Sequence, residues 1–147
     1  EDGQPVRKLA NGNGGGAFSP DGRWLLVASE KEYFQFAVHD HPTNWLLVRQ
    51  YPRDISGFDE GAMAFSGDSK LLAVQSDQRI FRLLEAASGR ELARLTPLPD
   101  AYRTGNAAFS HNGRWFVAAS DLGLLVWDLQ LIRQRLRGLG LDWNVDR

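Results

Sequence analysis

Ala17-Phe18-Ser19-Pro20-Asp21-Gly22 returns twice along the chain, as Ala64-Phe65-Ser66-Gly67-Asp68-Ser69 and as Ala108-Phe109-Ser110-His111-Asn112-Gly113. The interval from Phe18 to Phe65 is 47 residues, and from Phe65 to Phe109 it is 44. In each copy a short Gly- and Ala-rich run ends in Phe-Ser, and a tight turn follows. The turn is plainest in Ser19-Pro20-Asp21-Gly22, where proline presets φ and glycine closes the reversal. After it comes a compact apolar run: Trp24–Ser29, Leu71–Gln75 and Trp115–Ser120. Their length and their β-branched and aromatic content suit buried strands better than helices.

A third strand is expected in each repeat, at Tyr33–His39, Ile80–Glu85 and Leu124–Leu129. A fourth follows in the first two, at Trp45–Gln50 and Glu91–Leu95, the latter entered through a hairpin turn at Ala87-Ser88-Gly89-Arg90. In the third repeat Leu131–Leu139 reads instead as a helix, with Ile132, Leu136 and Leu139 on one stripe and Gly138 and Gly140 as stop signals. The stretch Pro5–Leu9 looks like the fourth strand of a preceding unit. A repeat of about 40–45 residues with four strands is one blade of a β-propeller. The fold class expected is therefore all-β: a partial β-propeller of about three four-stranded antiparallel blades with a short C-terminal helix. The expected division is residues 1–13 for the last strand of a preceding blade, 14–53 and 54–98 for full blades, 99–129 for a three-stranded blade, and 130–147 for helix and tail. Propellers close with four to eight blades, so further blades are expected before Glu1, which reads as a cut end.

Composition narrows the function. The chain has 147 residues, 43% of them apolar and 24% charged, as in ordinary soluble domains. A net charge of −1 offers no broad field for nucleic acid or anionic lipid. With no cysteine, disulfides, zinc–thiolate sites and thiol catalysis are excluded, which fits a reducing, cytoplasmic setting. No apolar run approaches the roughly 18 residues of a membrane span.

These residues resemble the WD-repeat (WD40) family. Val126-Trp127-Asp128 matches the Trp-Asp dipeptide that ends a third strand, and Phe18–Arg23 is similar to the family's first hairpin. Leu84–Leu92 resembles the connection from third to fourth strand, and Trp127–Trp143 resembles the end of bacterial members, many of which carry a serine/threonine kinase or other signalling domain upstream. The resemblance implies a closed propeller whose last blade takes its fourth strand from the N-terminal end. It also implies a non-catalytic scaffold or sensor for protein partners; the alternative it implies is an accessory domain of a kinase lying upstream. The chain departs from the family at His39-Asp40 and Leu84-Glu85, where Trp-Asp is absent, and at Ala118, where the inner-strand hydroxyl is missing. The hydrogen-bonded tetrad is thus mostly lost, and apolar packing is expected to carry the stability.

No residue is expected to be catalytic, to bind a cofactor or to hold a metal. Gly12-Asn13-Gly14-Gly15-Gly16 resembles a phosphate loop, but a strand rather than a helix follows, so it reads as an inter-blade loop and a crowded inner strand. His39-Asp40-His41 lacks a third ligand; His39 is expected at the blade's Trp position, and His41 at the start of a loop. Ser19, Ser66 and Ser110 sit in no nucleophile elbow and read as turn caps. Arg133, Arg135 and Arg137 would form a solvated basic face, or a docking face for an acidic partner. The partner-binding candidates are two long loops, Tyr51–Gly61 and Thr96–Gly105, with Tyr51, Arg53, Phe58, Tyr102 and Arg103 as the aromatic and Arg side chains that interfaces favour. Both loops join a fourth strand to the next first strand. They should share one rim with the turns Glu30-Lys31-Glu32 and Asp77-Gln78.

Overall fold

Each Phe-Ser turn in the computed structural model is built by the same three atoms, the Ser hydroxyl oxygen, an Asp or Asn Oδ1 and one backbone amide nitrogen. The model describes residues 3–5, 7–9, 14–54, 61–101 and 105–143. The Ser19 hydroxyl donates to Asp21 Oδ1 at 2.6 Å and accepts the Trp24 amide at 2.9 Å. Ser66 does the same with Asp68 and Leu71, at 2.6 and 2.9 Å, and Ser110 with Asn112 and Trp115, at 2.7 and 2.9 Å. The three serines are turn caps, as their spacing suggests. The positive-φ position of each turn is held by Gly22, Ser69 and Gly113. Ser69 accepts left-handed φ at a cost that glycine avoids. Its buried hydroxyl takes the Asp21 amide of the neighbouring turn at 3.0 Å, which offsets that cost.

The turns launch three antiparallel sheets. The first contains β1 (Gly16–Phe18), β2 (Trp24–Ala28), β3 (Glu32–Ala37) and β4 (Leu46–Pro52) in that order. The second contains β5 (Met63–Phe65), β6 (Leu71–Gln75), β7 (Phe81–Glu85) and β8 (Glu91–Leu95). The third has β9 (Ala107–Phe109), β10 (Trp115–Ser120) and β11 (Gly123–Asp128) and no fourth strand among the described residues. Both complete blades carry a bulge at the same place, between Gln35 and Phe36 and between Leu83 and Leu84. The short inner strands lie side by side, β1 against β5 and β5 against β9, so the blades turn about a common axis. At that axis only glycine fits: a Cβ on Gly14 would stand 1.6 Å from the Ala28 carbonyl oxygen. Gly15 accepts the Ala28 amide at 2.9 Å, which places Gly14–Gly16 against β2 rather than around a phosphate.

All five residues of β6 are buried, because blade two is covered on both faces. Leu71 and Ala73 point to blade three and meet Phe81, Leu83, Phe116 and Ala118. Leu72 and Val74 point to blade one and meet Leu26, Ala28, Tyr33 and Tyr51. The two seams differ in chemistry. The one toward blade three is aromatic and aliphatic, with Phe116 packed on Phe81, Phe109 and Trp127 at ring separations of 5.0–5.7 Å. The seam toward blade one is stapled by polar groups. The Tyr33 hydroxyl donates to Gln75 O at 2.8 Å, the Tyr51 hydroxyl to Gln35 Oε1 at 2.5 Å, and Gln35 Nε2 to Ala86 O at 2.8 Å. Buried polar bonds thus add to the apolar packing that the sequence leads one to expect as the main support. Two tyrosines, the Gln35 amide and two backbone carbonyls stand in for the missing tetrad at one seam, and these three bonds are buried, as a useful polar network must be.

Residues 3–5 and 7–9 join no ladder among the described residues, and Arg7 donates to the carbonyls of Pro42 and Trp45, at 2.8 and 3.1 Å. Two further expectations are corrected. His39 does not fill a Trp site: it is exposed, and its carbonyl accepts the Trp45 indole N–H at 2.8 Å. The helix α1 spans Leu129–Gly138, two residues earlier than its stripe suggests, because Asp128 caps it by accepting the Leu131 amide at 3.0 Å. Leu129, Ile132 and Leu136 pack on the core while Leu139 is 72% exposed. The chain reverses at Gly140 (φ 71°): Leu141 N–H bonds Leu136 O and Gly140 N–H bonds Arg137 O, a Schellman ending. The reversal lets Asp142 accept from Arg133 and Arg137 at 3.0 Å each, and buries Trp143 in the blade two–three core.

The turn carboxylate of blade one titrates low. Burial pushes Asp21 up, but bonds from the Ser19 hydroxyl and from the Arg23 amide and guanidinium outweigh it, bringing it from 3.8 to about 2. Its stabilising effect is complete above the ordinary value of 3.8 and is lost as the pH falls toward about 2. Asp21→Asn is expected to flatten the fall in stability across that acid window, read by urea unfolding at stepped pH; an unchanged slope would discard the assignment.

Candidate partner-binding rim

The connectors at the end of the blades opposite the Phe-Ser turns are stitched together by backbone. Arg53 N–H bonds Lys31 O at 2.8 Å, and Asp54 N–H bonds Ser76 O at 2.6 Å. Asp54 and Asp77 form an isolated parallel bridge. The exit from β4 thus crosses from the Ser29–Glu32 turn of blade one to the Ser76–Ile80 turn of blade two. Asp77 Oδ1 closes its own turn by accepting the amides of Arg79 and Ile80, each at 2.7 Å. The Arg79 guanidinium reaches the carbonyls of Leu98 and Pro99, which ties in the exit from β8. These described ends lie on one rim, as the connectivity suggests.

Between them lies a cleft of about 440 Å3 lined by Asp54, Asp77, Gln78, Arg79, Ile80, Thr96 and Pro97. Carboxylates and an Arg edge it, and Ile80 and Pro97 give it an apolar lining, the mixture that recognition sites use. A second groove, about 410 Å3, runs along β11, the outer strand of its sheet among the described residues, between Thr96–Pro99 and Leu124–Trp127.

The rim side chains named from sequence are placed differently. Tyr51 is 4% exposed and Arg53 is 7% exposed. Tyr51 is spent on Gln35, and burial pushes its hydroxyl's pKa up despite nearby Arg49 and Arg82. Arg53 donates to Ser29 O at 2.7 Å and its guanidinium stacks 5.2 Å from the Tyr33 ring centre. Within this chain both are seam residues, each with a buried acceptor or ring as its partner. Phe58, Tyr102 and Arg103 lie outside the described residues. Asp54, Thr96 and Pro97 lie in the two loops that the sequence marks, whereas nothing in its spacing singles out Ile80 as a cleft residue. Gln35 and Gln75 carried a usable signal: each is an amide inside an otherwise apolar strand.

The remaining candidates are accounted for locally. His41 caps a one-turn 3-10 helix at Pro42–Asn44 through Nδ1. Of the helix arginines, Arg133 and Arg137 share Asp142, while Arg135 is exposed. Among the described residues no three His, Asp or Glu side chains gather as a metal site, and no helix is long and apolar enough to cross a membrane.

Residues 106–128, which are the three strands of the last sheet, match the family model WD40 (WD domain, G-beta repeat). Among solved structures the chain is similar to the RRP9 WD40 repeats, with 20% identity and a TM-score of 0.65 over 79% of this chain and 35% of that one. It is equally similar to U3-55K, with 20% identity and a TM-score of 0.65 over 79% of this chain and 36% of that one. The Cps50 (Swd1) beta-propeller domain of Myceliophteria thermophila gives 16% identity and a TM-score of 0.62 over 77% and 39%. At these identities the likeness shows the fold, a partial β-propeller. The chain spans little more than a third of the length of these structures. No curated protein matches the chain.

Proposed function

We propose that this chain is part of a WD40-type propeller that works without chemistry of its own, as a rigid cytoplasmic platform for a protein partner. The carrying observation is the rim cleft, where connectors of blades one and two are fixed to each other by backbone bonds. Rigid scaffolds with exposed, fixed connectors are where binding concentrates. WD40 neighbours support the reading by fold alone, which does not itself specify function. An accessory role beside an upstream kinase domain rests on the sequence resemblance only, and reading the frame before Glu1 tests it.

The test uses the full-length protein with chemical crosslinking and capture. Asp54→Arg, whose backbone bonds need no carboxylate, is expected to lose a partner that the parent retains. Arg23→Glu, on the opposite rim, should keep that partner. Identical partner sets for both variants, with unchanged melts, would reject the cleft as the interface.

A further inference from the structure

Asn112 stands where the other two hairpins carry aspartate. Its Oδ1 takes the Ser110 hydroxyl at 2.7 Å and the Arg114 amide at 3.1 Å. Asp21 Oδ1 takes Ser19 and the Arg23 amide at 2.6 and 3.1 Å, and Asp68 Oδ1 takes Ser66 and the Lys70 amide at 2.6 and 3.1 Å. The turn uses only the one oxygen that amide and carboxylate share. The residue after Asn112 is Gly113, and asparagine followed by glycine is the sequence most open to intramolecular attack on its amide. We infer that Asn112 is a site of spontaneous deamidation, and that the fold accepts the α-aspartyl product as the residue its repeat already uses.

The chemistry needs no partner but water. The backbone nitrogen of Gly113 attacks Cγ of Asn112; the new N–Cγ bond forms, the Cγ–Nδ2 bond breaks, and ammonia leaves with the proton from Gly113. Water then opens the five-membered imide. Opening at the side-chain carbonyl restores the backbone and gives aspartate; opening at the main-chain carbonyl routes the backbone through Cγ and gives isoaspartate. The closed turn holds the reaction back, since Gly113 N–H donates to Ser110 O at 2.9 Å. Conversion therefore follows local opening of the β9–β10 hairpin. That hairpin is the least secured of the three. Ser19 and Ser66 are buried whereas Ser110 is half-buried, Asn112 is exposed, and blade three has three strands among the described residues. Low local burial is what lets a segment open below the global transition.

The α-aspartyl product gains a partner. In blade one Arg23 Nε pairs with Asp21 Oδ2 at 2.6 Å, and Arg114, now shared with Asp128 at 3.0 Å, holds the matching place after position 112. Isoaspartate lengthens the turn by one backbone carbon and breaks the spacing of Ser110 O and Gly113 N.

The native chain is held in mildly alkaline buffer and digested, and the peptide ending at Arg114 is followed by mass spectrometry. The chain's other Asn-Gly pairs, Asn11-Gly12 and Asn13-Gly14, provide a clock in the same digest. Asn112 is expected to convert more slowly than the urea-unfolded chain yet measurably, while Asn44 and Asn106 keep their amides. Ser110→Ala, which frees Oδ1, should speed the conversion severalfold. Asn112→Asp should melt no lower than the parent at neutral pH. An Asn112 that stays intact in the native chain while the unfolded chain converts fully overturns the site. An Asn112→Asp variant that melts below the parent overturns the accepted product.

Discussion

Replacing Phe116 by alanine is expected to remove about 3–5 kcal/mol of stability, the usual cost of emptying a buried phenyl site. The ring is fully buried on β10 and touches three aromatic neighbours: Phe81 across the seam, and Phe109 and Trp127 within its own blade. Edge and tilted ring contacts of this kind add about 0.5–1.5 kcal/mol each beyond area burial. The site collapses poorly, because Leu83, Ala118, Leu129 and Trp143 around it are already buried. Phe116→Leu, which keeps most of the volume, should lose less than half as much. Urea unfolding followed by tryptophan fluorescence reads both. A loss below about 1 kcal/mol for the alanine variant would place the stability elsewhere than this seam.

Tyr33→Ala should cost a comparable amount at the other seam, and Tyr33→Phe should separate its two parts. The ring is fully buried against Leu26, Ala28, Leu72 and Val74, and the Arg53 guanidinium stacks on it. The phenylalanine variant keeps that packing and removes the hydroxyl from Gln75 O at 2.8 Å and Ala62 O at 3.2 Å, a loss of about 0.5–1.5 kcal/mol. Alanine removes both, for about 3–5 kcal/mol. Burial pushes the Tyr33 pKa well above its ordinary 10.0 despite the Arg53 charge and the Gln75 bond, so the fold favours the protonated phenol. Its contribution is complete below pH 10 and is lost as the pH rises above that value. The parent should therefore lose stability at high pH more steeply than Tyr33→Phe. Parallel alkaline limbs for the two proteins would rule out the hydroxyl as a seam group.

Architecture was legible in the sequence to the extent that it repeats. The Phe-Ser turns fixed the hairpins, β8 matches its expected bounds, and the three strands of blade three among the described residues could be counted from the sequence. Helix α1 began early because a cap is a single side chain, Asp128, that the apolar stripe does not announce. The rim was harder to read. Tyr51 and Arg53 look like interface residues by type, yet strand register turns Tyr51 toward blade two, and Arg53 just past the strand folds back on Ser29 and Tyr33 of blade one. Asp54 and Asp77 meet across a bridge between blades, a contact that no local pattern encodes.

Blade two is gripped on one side by tyrosine and glutamine bonds and on the other by phenyl and alkyl surface. The two grips answer cooling to different degrees, since the blade one seam adds hydrogen bonds to its apolar cluster. Burial of apolar surface weakens on cooling, while hydrogen-bonded groups lose no comparable drive. Near freezing, the blade three side is expected to loosen first, which would make the plane through Phe116, rather than the one through Tyr33, the cold-labile one; amide exchange of β10 and β3 on cooling checks it.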